Sequence, residues 1–506
     1  MSSIKRKISN VWENLAIDWK RAKKRAISFT VQDLCIAAKI NTEEMTDDVK
    51  TLLHKRVDFV ARANSVVAKN SICFQLYHDD ISLLRNICKS GHVLLCVAKE
   101  KVDNCPTIVV ANPEQIYADM CNLYIQHSMA SVTAITGSIG KTTTKKMIEC
   151  VYGTSGKTLC AADNVNLLNG AGYLAQHISP ETKFFIQECS EDTYGYMSYF
   201  SRCLRPNISV ITTIDKSHIE LFENEDAIKE ECFSLADYMN SDGTVITNQD
   251  DNDLTFYKGK GKLVTVSLKE TNADYWADKI QRTNNGLSFC IHSKTGEEFN
   301  AKLNHIYAIH SIYSALYAFA AGIESGIDPE NIIKGLADYR TAGTRNNFFE
   351  DKGVIIYADC YNANGKSISA AIATLDAFPV KGRRIAVLGD VVEVGHESRA
   401  MHDGIISDVY TSSVDVLLSY GDEINAAIKR NPEHRGSLQI IECKSHDDIN
   451  SALKGILKSG DIVLFKASNA MNLKKTIKAV FPRAYSLNVE SEKRDALKWR
   501  LKVRFE

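Results

Sequence analysis

Short apolar runs alternate with longer amphipathic stretches along most of the chain, and the alternation falls into three blocks. In the first block, from 29 to about 128, the strand-like runs include VDFVA, SICFQLY, HVLLCVA and PTIVVA. In the second, from 131 to about 338, strands such as FFIQEC and NISVITTI alternate with helical stretches such as EDAIKEECFSLADYM. Strands that alternate with helices in this way are typical of a parallel sheet.

A third block, from about 343, repeats the alternation with GVIIYADC, RRIAVLGD, VDVLLSY and DIVLFKA. A chain of 506 residues is also too long for one hydrophobic core. We therefore predict three α/β domains in series. The expected boundaries are a basic leader at 1–26, a small N-terminal domain at 27–128, a central domain at 129–340 and a C-terminal domain at 341–506.

The leader carries a cluster of positive charges around two tryptophans. Its lysines and arginines surround Trp12, Leu15 and Trp19. This arrangement suits either a membrane surface or a solvated helix that packs its tryptophans on the body of the protein. We favour the packed helix because Glu13 and Asp18 interrupt the basic face.

The charges of the whole chain nearly cancel, with 61 Lys and Arg against 62 Asp and Glu, which argues against nucleic-acid binding over an extended surface. The 14 cysteines lack C-x-x-C spacing, so we expect reduced core thiols of a cytoplasmic protein rather than disulfides or a zinc site. There is no signal-peptide pattern, and the most apolar run, at 314–323, is far below the roughly 18 residues of a membrane span. We expect a monomer.

The segment SVTAITGSIGKTTTKKM, at 131–147, combines a strand, a glycine turn and the start of a helix. The glycines allow backbone N–H groups to surround phosphate oxygens, and the helix N-terminus adds partial positive charge. Lys141 would contact the β- and γ-phosphates, and the Thr142 hydroxyl would bind Mg²⁺. The alternative is an ordinary strand-to-helix turn with a surface lysine. The predicted nucleotide-binding residues of this loop are Gly137, Ser138, Gly140, Lys141, Thr142 and Thr143.

The same loop, TGSIGKTTT, resembles the phosphate loop of the Mur ligases, which are ATP-dependent amide ligases of peptidoglycan synthesis. Four further segments resemble that family in the same order: NVNLLNGAG at 164–172, IQECSEDTYGYMSYFSRCLRPNISVITTIDKSHIELF at 186–222, AGTRNNFFEDKGVIIYADCYNANGKSISAA at 342–371 and RRIAVLGDVVEVGHESRAMH at 383–402. The resemblance covers about 131–480. It implies a small N-terminal substrate-binding domain, a central P-loop ATPase-like domain with a parallel sheet, and a C-terminal Rossmann-like ligase domain.

The resemblance also implies a reaction, in which ATP phosphorylates a substrate carboxylate and an amine then attacks the acyl phosphate. The catalytic residues that it implies are Lys141, Glu188, His218 and Arg345. Thr142, Glu188 and His218 are the implied Mg²⁺ ligands, and Arg345 is implied to reach the γ-phosphate from the last domain. The other implied nucleotide contacts are His310, Asp359, Tyr361, Asn362 and Asn364. The alternatives are a surface acid at a strand end for Glu188, a structural role for His218, and an Asn-rich turn at 359–364.

The last two motifs imply, within the family, a ligase that joins a dipeptide to a nucleotide-linked peptide. These two substrates are the expected partners, with ATP and Mg²⁺ as cofactors. The segment that contains Asp390, Glu393 and His402 is implied to help bind the dipeptide or to orient the catalytic loop. One alternative is a divergent amide ligase that acts on another carboxylate and amine. A second is a catalytically degenerate nucleotide-binding protein, against which the intact phosphate loop, Glu188, His218 and Arg345 argue.

Several positions on the ATP side depart from the family pattern. Cys232 stands where the family has a lysine that CO₂ converts to a carbamate. Either Glu230 or Glu231 supplies a carboxylate instead, or the second metal is held differently or is absent. On the adenine side, Ser311 and Ser314 replace two amides.

The remaining departures concern the substrates. Asn469 stands where an arginine would hold a substrate carboxylate, although Lys466 and Ser468 are retained. The family segment that helps bind the UDP end aligns best with 64–66 and lacks its arginine. Arg62 and Lys69 are the alternative cations for that end.

Overall fold

The structure is a computed structural model that describes residues 28–489 apart from 64–68, 78, 163–164, 192–193, 216–220, 260, 284, 342, 393 and 434–435. The predicted leader, His218 and Glu393 therefore lie outside the described residues. Within the described residues the strands form three sheets, which follow the order of the three sequence blocks. This arrangement confirms the α/β fold class.

The N-terminal sheet has four parallel strands in the order β1-β2-β3-β4. The strands are β1 (Phe59–Arg62), β2 (Ser71–Phe74), β3 (Val93–Ala98) and β4 (Thr107–Val109). Their helices are α1 (Val31–Ala37), α2 (Asp47–Lys50), α3 (Ile81–Cys88) and α4 (Pro113–Gln126). Every residue of β1 and β2 is buried, as expected for parallel strands that are covered on both faces.

The central sheet has nine strands in the order β13-β12-β11-β10-β9-β8-β5-β7-β6. The strands are β5 (Ser131–Thr136), β6 (Thr158–Cys160), β7 (Phe184–Glu188), β8 (Ile208–Ile211), β9 (Thr244–Asn248), β10 (Lys262–Ser267), β11 (Tyr275–Thr283), β12 (Gly286–Ser293) and β13 (Glu298–Asn304). Its helices are α5 (Lys141–Gly153), α6 (Leu168–Ala175), α7 (Tyr196–Leu204), α8 (Glu225–Phe233), α9 (Ser311–Glu324) and α10 (Pro329–Asp338).

The seven strands β5 to β11 pair in parallel with their neighbours, as predicted. By contrast, β12 pairs antiparallel with β11, and β13 pairs antiparallel with β12. The physical reason is the length of the connections. Only short turns separate β11 from β12 and β12 from β13. A parallel crossover needs a dozen or more residues, so these strands can pair only as hairpins.

The C-terminal sheet has six strands in the order β14-β15-β19-β16-β17-β18, and β14 alone among them pairs antiparallel. The strands are β14 (Asn347–Asp351), β15 (Val354–Ala358), β16 (Arg384–Gly389), β17 (Val416–Tyr420), β18 (Gln439–Cys443) and β19 (Ile462–Lys466). Its helices are α11 (Gly365–Ala377), α12 (Ser398–Thr411), α13 (Asp422–Arg430), α14 (His446–Ile456), α15 (Lys474–Val480) and α16 (Pro482–Asn488).

The most apolar run of the sequence lies in α9, which packs on α5 within the central core. Almost every side chain of α9 is buried, so its apolar composition is explained by its place between the sheet and its neighbours. Among the described helices, none combines the length and the apolar composition that crossing a lipid bilayer requires.

The carboxyl ends of two groups of neighbouring strands position the candidate site. In the central sheet β5 lies between β7 and β8, and in the C-terminal sheet β19 lies between β15 and β16. Open α/β sheets place ligands at the carboxyl ends of such strands. The side chains that follow these strands are therefore the candidates for a ligand site.

Candidate active site

The phosphate loop connects the end of β5 to the start of α5. Gly137 and Gly140 have φ values of 121° and 92°, in the left-handed region that favours glycine. A Cβ atom on Gly137 would also collide with the Thr212 hydroxyl oxygen. The N–H groups of Ser138 and Ile139 donate to the Thr213 carbonyl at 2.9 and 3.1 Å, which ties the loop to the segment after β8.

Lys141, the first residue of α5, forms an ion pair with Glu191. Its Nζ lies 2.7 and 2.9 Å from the two carboxylate oxygens and also donates to the Gly137 carbonyl. The Glu191 side chain is only 1% exposed. Burial alone would lower the pKa of Lys141, but the charge of Glu191 and its hydrogen bonds outweigh burial and raise that pKa. Lys141 is therefore a cation, held away from solvent by a buried anion.

Glu188 ends β7 beside the same loop, as the sequence predicted for a strand-end carboxylate. Its Oε1 accepts a 3.3 Å hydrogen bond from the Thr142 hydroxyl, and its Oε2 lies 3.1 Å from Lys145 Nζ. Burial would raise the pKa of Glu188, but the charges of Lys145, Arg345 and Lys141 together lower it. The Glu188 carboxylate is therefore ionised within a positive environment.

Sequence reasoning did not select Glu191 or Lys145. Glu191 follows Glu188 by three residues in the same loop, so the rule that selected one strand-end acid also applies to the other. Lys145 lies four residues after Lys141, and residues with this spacing share one face of a helix. Both residues had a recognisable signal, in the loop after β7 and in the first turns of α5.

The C-terminal domain supplies the opposite wall of the site. The Arg345 guanidinium carbon lies 3.4 Å from the centroid of the Tyr361 ring. Asp359, just after β15, accepts from Lys466 Nζ and from the Asn346 N–H, both at 2.9 Å. Lys466 also donates to the Asn362 carbonyl at 2.8 Å. A cation–ring pair and a charged network therefore face the phosphate loop.

The adenine-side hydroxyls are engaged by protein groups. Ser311 Oγ accepts a 2.9 Å hydrogen bond from the Asn346 side-chain amide, which comes from the C-terminal domain. Ser314 Oγ accepts from the Thr144 hydroxyl at 3.0 Å. These two contacts link α9 to the linker between the domains and to α5.

The two walls enclose a cavity of about 390 Å³, which lies in the range of small-molecule sites. Twelve of the predicted site residues line it: Ser138, Gly140, Lys141, Thr142, Thr143, Glu188, His310, Arg345, Asp359, Tyr361, Asn362 and Asn364. Gly137 shapes the turn behind the cavity, and His218 lies outside the described residues. Lys366 Nζ, at the start of α11, lies 3.4 Å from Asp215 Oδ1 and connects the two domains beside the cavity.

The two glutamates that the sequence offered in place of a modified lysine lie elsewhere. The Glu231 carboxylate accepts hydrogen bonds from the N–H groups of Gly195 and Met197, at 2.8 and 2.7 Å, at the start of α7. Glu230 is exposed on α8. Burial raises the pKa of the Cys232 thiol, and the nearby Glu191 carboxylate raises it further.

The oxygen donors at this end of the cavity fit Mg²⁺. Thr142 provides a hydroxyl and Glu188 a carboxylate at the cavity wall, and Glu191, which does not line the cavity, provides a second buried carboxylate beside Lys141. Mg²⁺ is a hard cation that prefers oxygen ligands, and protein carboxylates commonly combine with nucleotide phosphates to hold it.

Two residues of the segment after β16 have structural contacts. Asp390 accepts a 2.9 Å hydrogen bond from the Ile424 N–H, and His402 Nε2 accepts one of 3.0 Å from the Val391 N–H. Neither residue lines the cavity. The contacts fix the loop that follows β16, and they do not bring either side chain to the phosphate loop.

The alternative cations for a UDP end differ in their availability. Arg62 makes two hydrogen bonds with the Asp79 carboxylate, at 2.7 and 2.6 Å, and its guanidinium lies 4.5 Å from the Tyr77 ring centroid. Lys69 is exposed, and residues 64–66 lie outside the described residues. Arg62 is thus already neutralised by a protein carboxylate.

Two family models match the chain. The Mur ligase middle domain matches residues 135–322, and the Mur ligase, glutamate ligase domain, matches residues 344–469. The first match contains the phosphate loop and Glu188, and the second contains Arg345 and the Asp359–Lys466 network.

Two curated relatives have the same name. The chain is 28% identical over 379 residues to the UDP-N-acetylmuramoyl-tripeptide–D-alanyl-D-alanine ligase of Bacillus subtilis, which covers 74% of this chain and 81% of that protein. It is 26% identical over 340 residues to the Escherichia coli ligase of the same name, covering 66% and 74% of the two chains.

Solved structures share the fold over most of the chain. A crystal structure of MurF from Acinetobacter baumannii matches with a TM-score of 0.77 at 20% identity and covers 90% of this chain and 99% of that one. MurF from Thermotoga maritima in complex with ADP matches with a TM-score of 0.72 at 19% identity and covers 88% and 100%. These matches confirm the three-domain architecture that the sequence predicted.

Proposed function

Because the chain belongs to the Mur ligase family, we propose that it is an ATP-dependent amide ligase that activates a carboxylate as an acyl phosphate and couples it to an amine. We propose D-alanyl-D-alanine as the amine and a UDP-N-acetylmuramoyl-tripeptide as the carboxylate, in the synthesis of a peptidoglycan precursor. The names and coverage of the curated relatives support this choice of substrates.

The main support for the proposal is that charged side chains from two domains face each other across one cavity. The central domain provides Lys141, Thr142 and Glu188, and the C-terminal domain provides Arg345 and Asp359. Phosphoryl transfer depends mainly on positioning and charge neutralisation, which is the chemistry that such an arrangement supplies. A protein with a purely structural role would not need these groups together.

Nucleotide binding requires an exchange of partners at Lys141. In the structure its ammonium group contacts Glu191 and the Gly137 carbonyl rather than an external anion. To contact a β- or γ-phosphate the ammonium group must leave Glu191. Because Glu191 is 1% exposed, the carboxylate left behind would be costly unless another cation replaced Lys141.

We propose that Thr142, Glu188 and Glu191 hold Mg²⁺ when the nucleotide is bound, and we retain His218 as a further predicted ligand. Bound Mg²⁺ would neutralise charge on the phosphate oxygens. In this scheme Glu191 performs two functions. It keeps Lys141 ordered before the nucleotide arrives, and it provides ligand oxygens afterwards.

Arg345 would complete the site from the C-terminal domain. Its guanidinium carbon lies over the Tyr361 ring, 3.4 Å from the ring centroid, and this cation–π contact holds the group at the cavity wall. Such a group can donate two parallel hydrogen bonds to phosphate oxygens. Lys466, paired with Asp359, would position the Asn362 backbone at the same wall.

A divergent amide ligase is the second candidate, because two substrate positions depart from the family pattern. Arg62 is paired with Asp79 and does not offer a free cation to a diphosphate. Asn469 is neutral where an arginine was expected. These residues concern the choice of substrate, and they leave the phosphate chemistry unchanged.

The experiment is a substrate panel with the purified chain, ATP and Mg²⁺, in which ADP release and product mass are followed together. ADP and an adduct that appear only with the muramoyl tripeptide and D-alanyl-D-alanine would support the first candidate. An adduct with another acyl or amine donor would favour the second. Lys141→Ala is the inactive control, and unchanged ADP release in that variant would contradict both.

A further inference from the structure

Three cysteines of the N-terminal domain lie close together in space, although their spacing along the chain is not that of a C-x-x-C pattern. Cys88 is the last residue of α3, Cys96 lies within β3, and Cys105 lies just before β4. The Cys88 and Cys96 sulfurs are 3.4 Å apart, and the Cys96 and Cys105 sulfurs are 3.5 Å apart. All three sulfurs lie within 4.8 Å of one another.

We propose that Cys88, Cys96 and Cys105 form a thiolate site for a thiophilic d¹⁰ cation, with Zn²⁺ as the ion to be tested. The site is separate from the ATP cavity and would bind one ion per chain. It differs from the expectation, based on spacing, that the cysteines are isolated core thiols.

The distances between the sulfurs agree with metal ligation. A tetrahedral Zn²⁺ site has Zn–S bonds of about 2.3 Å, which places its sulfurs about 3.8 Å apart. The observed contacts of 3.4 and 3.5 Å differ from that spacing by a few tenths of an ångström, so small side-chain rotations would admit the ion. A disulfide requires sulfurs about 2.05 Å apart and would use only two of the three cysteines.

The backbone around the site already fixes the positions of two ligands. The Cys96 N–H donates to the Pro106 carbonyl at 2.8 Å, which joins β3 to the segment that carries Cys105. The Thr107 hydroxyl donates to the Cys105 carbonyl at 2.9 Å and accepts from the Val102 N–H at 3.2 Å. These bonds hold the connection between β3 and β4 in a closed turn, so little ordering would remain for metal binding to impose.

Metal binding would change the protonation of the cluster. The thiolate, not the thiol, is the form of cysteine that binds metals. An ion that binds the three sulfurs would therefore displace their protons, which a proton-release measurement can detect.

The position of the site indicates a structural role and an entry route. Cys96 and Cys105 are buried beside Leu84 and Val102, whereas Cys88 is half-buried at the end of its helix. An ion could enter at Cys88 and would then connect α3, β3 and the turn before β4. The partly exposed side would leave room for water as a fourth ligand.

The test measures metal on the full chain and does not depend on ligase activity. Purification under reducing conditions with Zn²⁺ should yield about one zinc per chain by elemental analysis. Replacement by Co²⁺ should produce thiolate-to-cobalt absorption, and addition of Zn²⁺ to the metal-free protein should release protons. Cys96→Ser should lower the zinc affinity at least about 100-fold, since loss of even an outer contact costs 10- to 100-fold.

Two further variants keep the test decisive. Cys88→Ser should also lose zinc, and because Cys88 is half-buried its replacement disturbs the core less than that of Cys96. Cys35→Ser, which changes a buried thiol of α1 outside the cluster, should retain it. Absence of zinc and of cobalt absorption from a folded wild-type chain would overturn the proposal. Equal zinc in wild type and in the Cys88 variant, or a disulfide between two of the cysteines after purification, would overturn it as well.

Discussion

Lys141 and Glu191 illustrate how one residue pair can control both nucleotide and metal binding. The pair is buried, so its attraction is poorly screened by salt. In the proposed scheme nucleotide binding breaks this pair, and Mg²⁺ binding uses the carboxylate that is released. The two ligands should therefore assist each other through a shared residue, which is a coupling that binding measurements can detect.

Glu191→Gln should separate the two effects. Without the carboxylate, Lys141 is free to meet phosphate, and ADP affinity in the absence of divalent cations should rise about tenfold, or 1.4 kcal/mol. The Mg²⁺ concentration that half-activates ATP turnover should rise by about 10- to 100-fold because a ligand is lost. Calorimetry with ADP in chelator and Mg²⁺ titration of turnover provide the two measurements. Glu230→Gln, on an exposed side chain of α8, is the matched control; equal behaviour of the two variants would contradict the role of Glu191.

Lys141→Ala should remove the principal cation of the phosphate loop. Charge-assisted hydrogen bonds contribute about 1.5–3 kcal/mol, so nucleotide affinity should fall by roughly 10- to 150-fold. Isothermal titration with ADP and Mg²⁺ measures this loss. Lys157→Ala is a suitable control because Lys157 is exposed and pairs weakly with Glu181 at 3.8 Å. Wild-type affinity in the Lys141 variant would be incompatible with the proposed phosphate site.

At this scale the sequence predicted the residues that follow recognisable patterns. Lys141 and Thr142 belong to a glycine loop before a helix, and Glu188 ends an apolar run. Glu191 follows Glu188 by three residues in the same loop, but its pairing with Lys141 depends on the direction of its side chain, which the pattern does not give. Glu230 and Glu231 are alternatives only by their distance along the chain from Cys232. That measure does not give the direction of a side chain, and Glu231 instead binds the start of α7.

At the scale of secondary structure, the turn between β5 and α5 determines where the phosphate-binding groups point. Its two glycines adopt left-handed φ values, and the N–H groups of Ser138 and Ile139 between them donate to the Thr213 carbonyl. The start of α5 adds N–H groups that have no partner within the helix. The local sequence thus encodes this element completely.

Gly137→Ala should damage the turn while leaving the helix intact. The left-handed φ costs a non-glycine residue about 1–3 kcal/mol, and the added Cβ also meets the Thr212 hydroxyl. We expect a lower melting temperature and at least about tenfold weaker ADP binding, measured by thermal unfolding and titration. Gly153→Ala, at the other end of α5, is the control because a Cβ there meets nothing within 4 Å. Similar losses in both variants would show that the turn has no special role.

The sequence predicted the parallel strands more completely than the edge of the central sheet. Buried parallel strands appear as continuous apolar runs, which makes β7, β8, β15 and β19 easy to recognise. Of the strands at this edge, β11 is exposed along most of its second half, β12 is mostly buried, and β13 alternates exposed and buried residues, so they share no single pattern. Their antiparallel pairing depends on the short connections between them, which the pattern of apolar runs does not show.

At the scale of the whole molecule, the site exists only where two domains meet. Lys366 and Asp215 form an ion pair between them, and the Asn346 amide contacts Ser311 across the same boundary. The resemblance predicted that Arg345 crosses this gap, but no local pattern gives the distance between separate domains. That distance follows from the combined packing of many side chains, which a single sequence does not reveal by periodicity.

Arg345 offers the sharpest test of this arrangement because it acts across the boundary. Arg345→Ala should lower kcat by about 10³-fold or more, the range found for arginines that stabilise a transferring phosphoryl group. ADP affinity should change far less, since the phosphate loop belongs to the central domain. Arg345→Lys keeps the charge but lacks the planar guanidinium fork, so its kcat should lie between those of the alanine variant and the wild type. Steady-state kinetics and ADP titration measure the two quantities. A proportional loss of affinity and kcat in both variants would instead place Arg345 in ground-state nucleotide binding, and the domains would then meet for binding rather than for phosphoryl transfer.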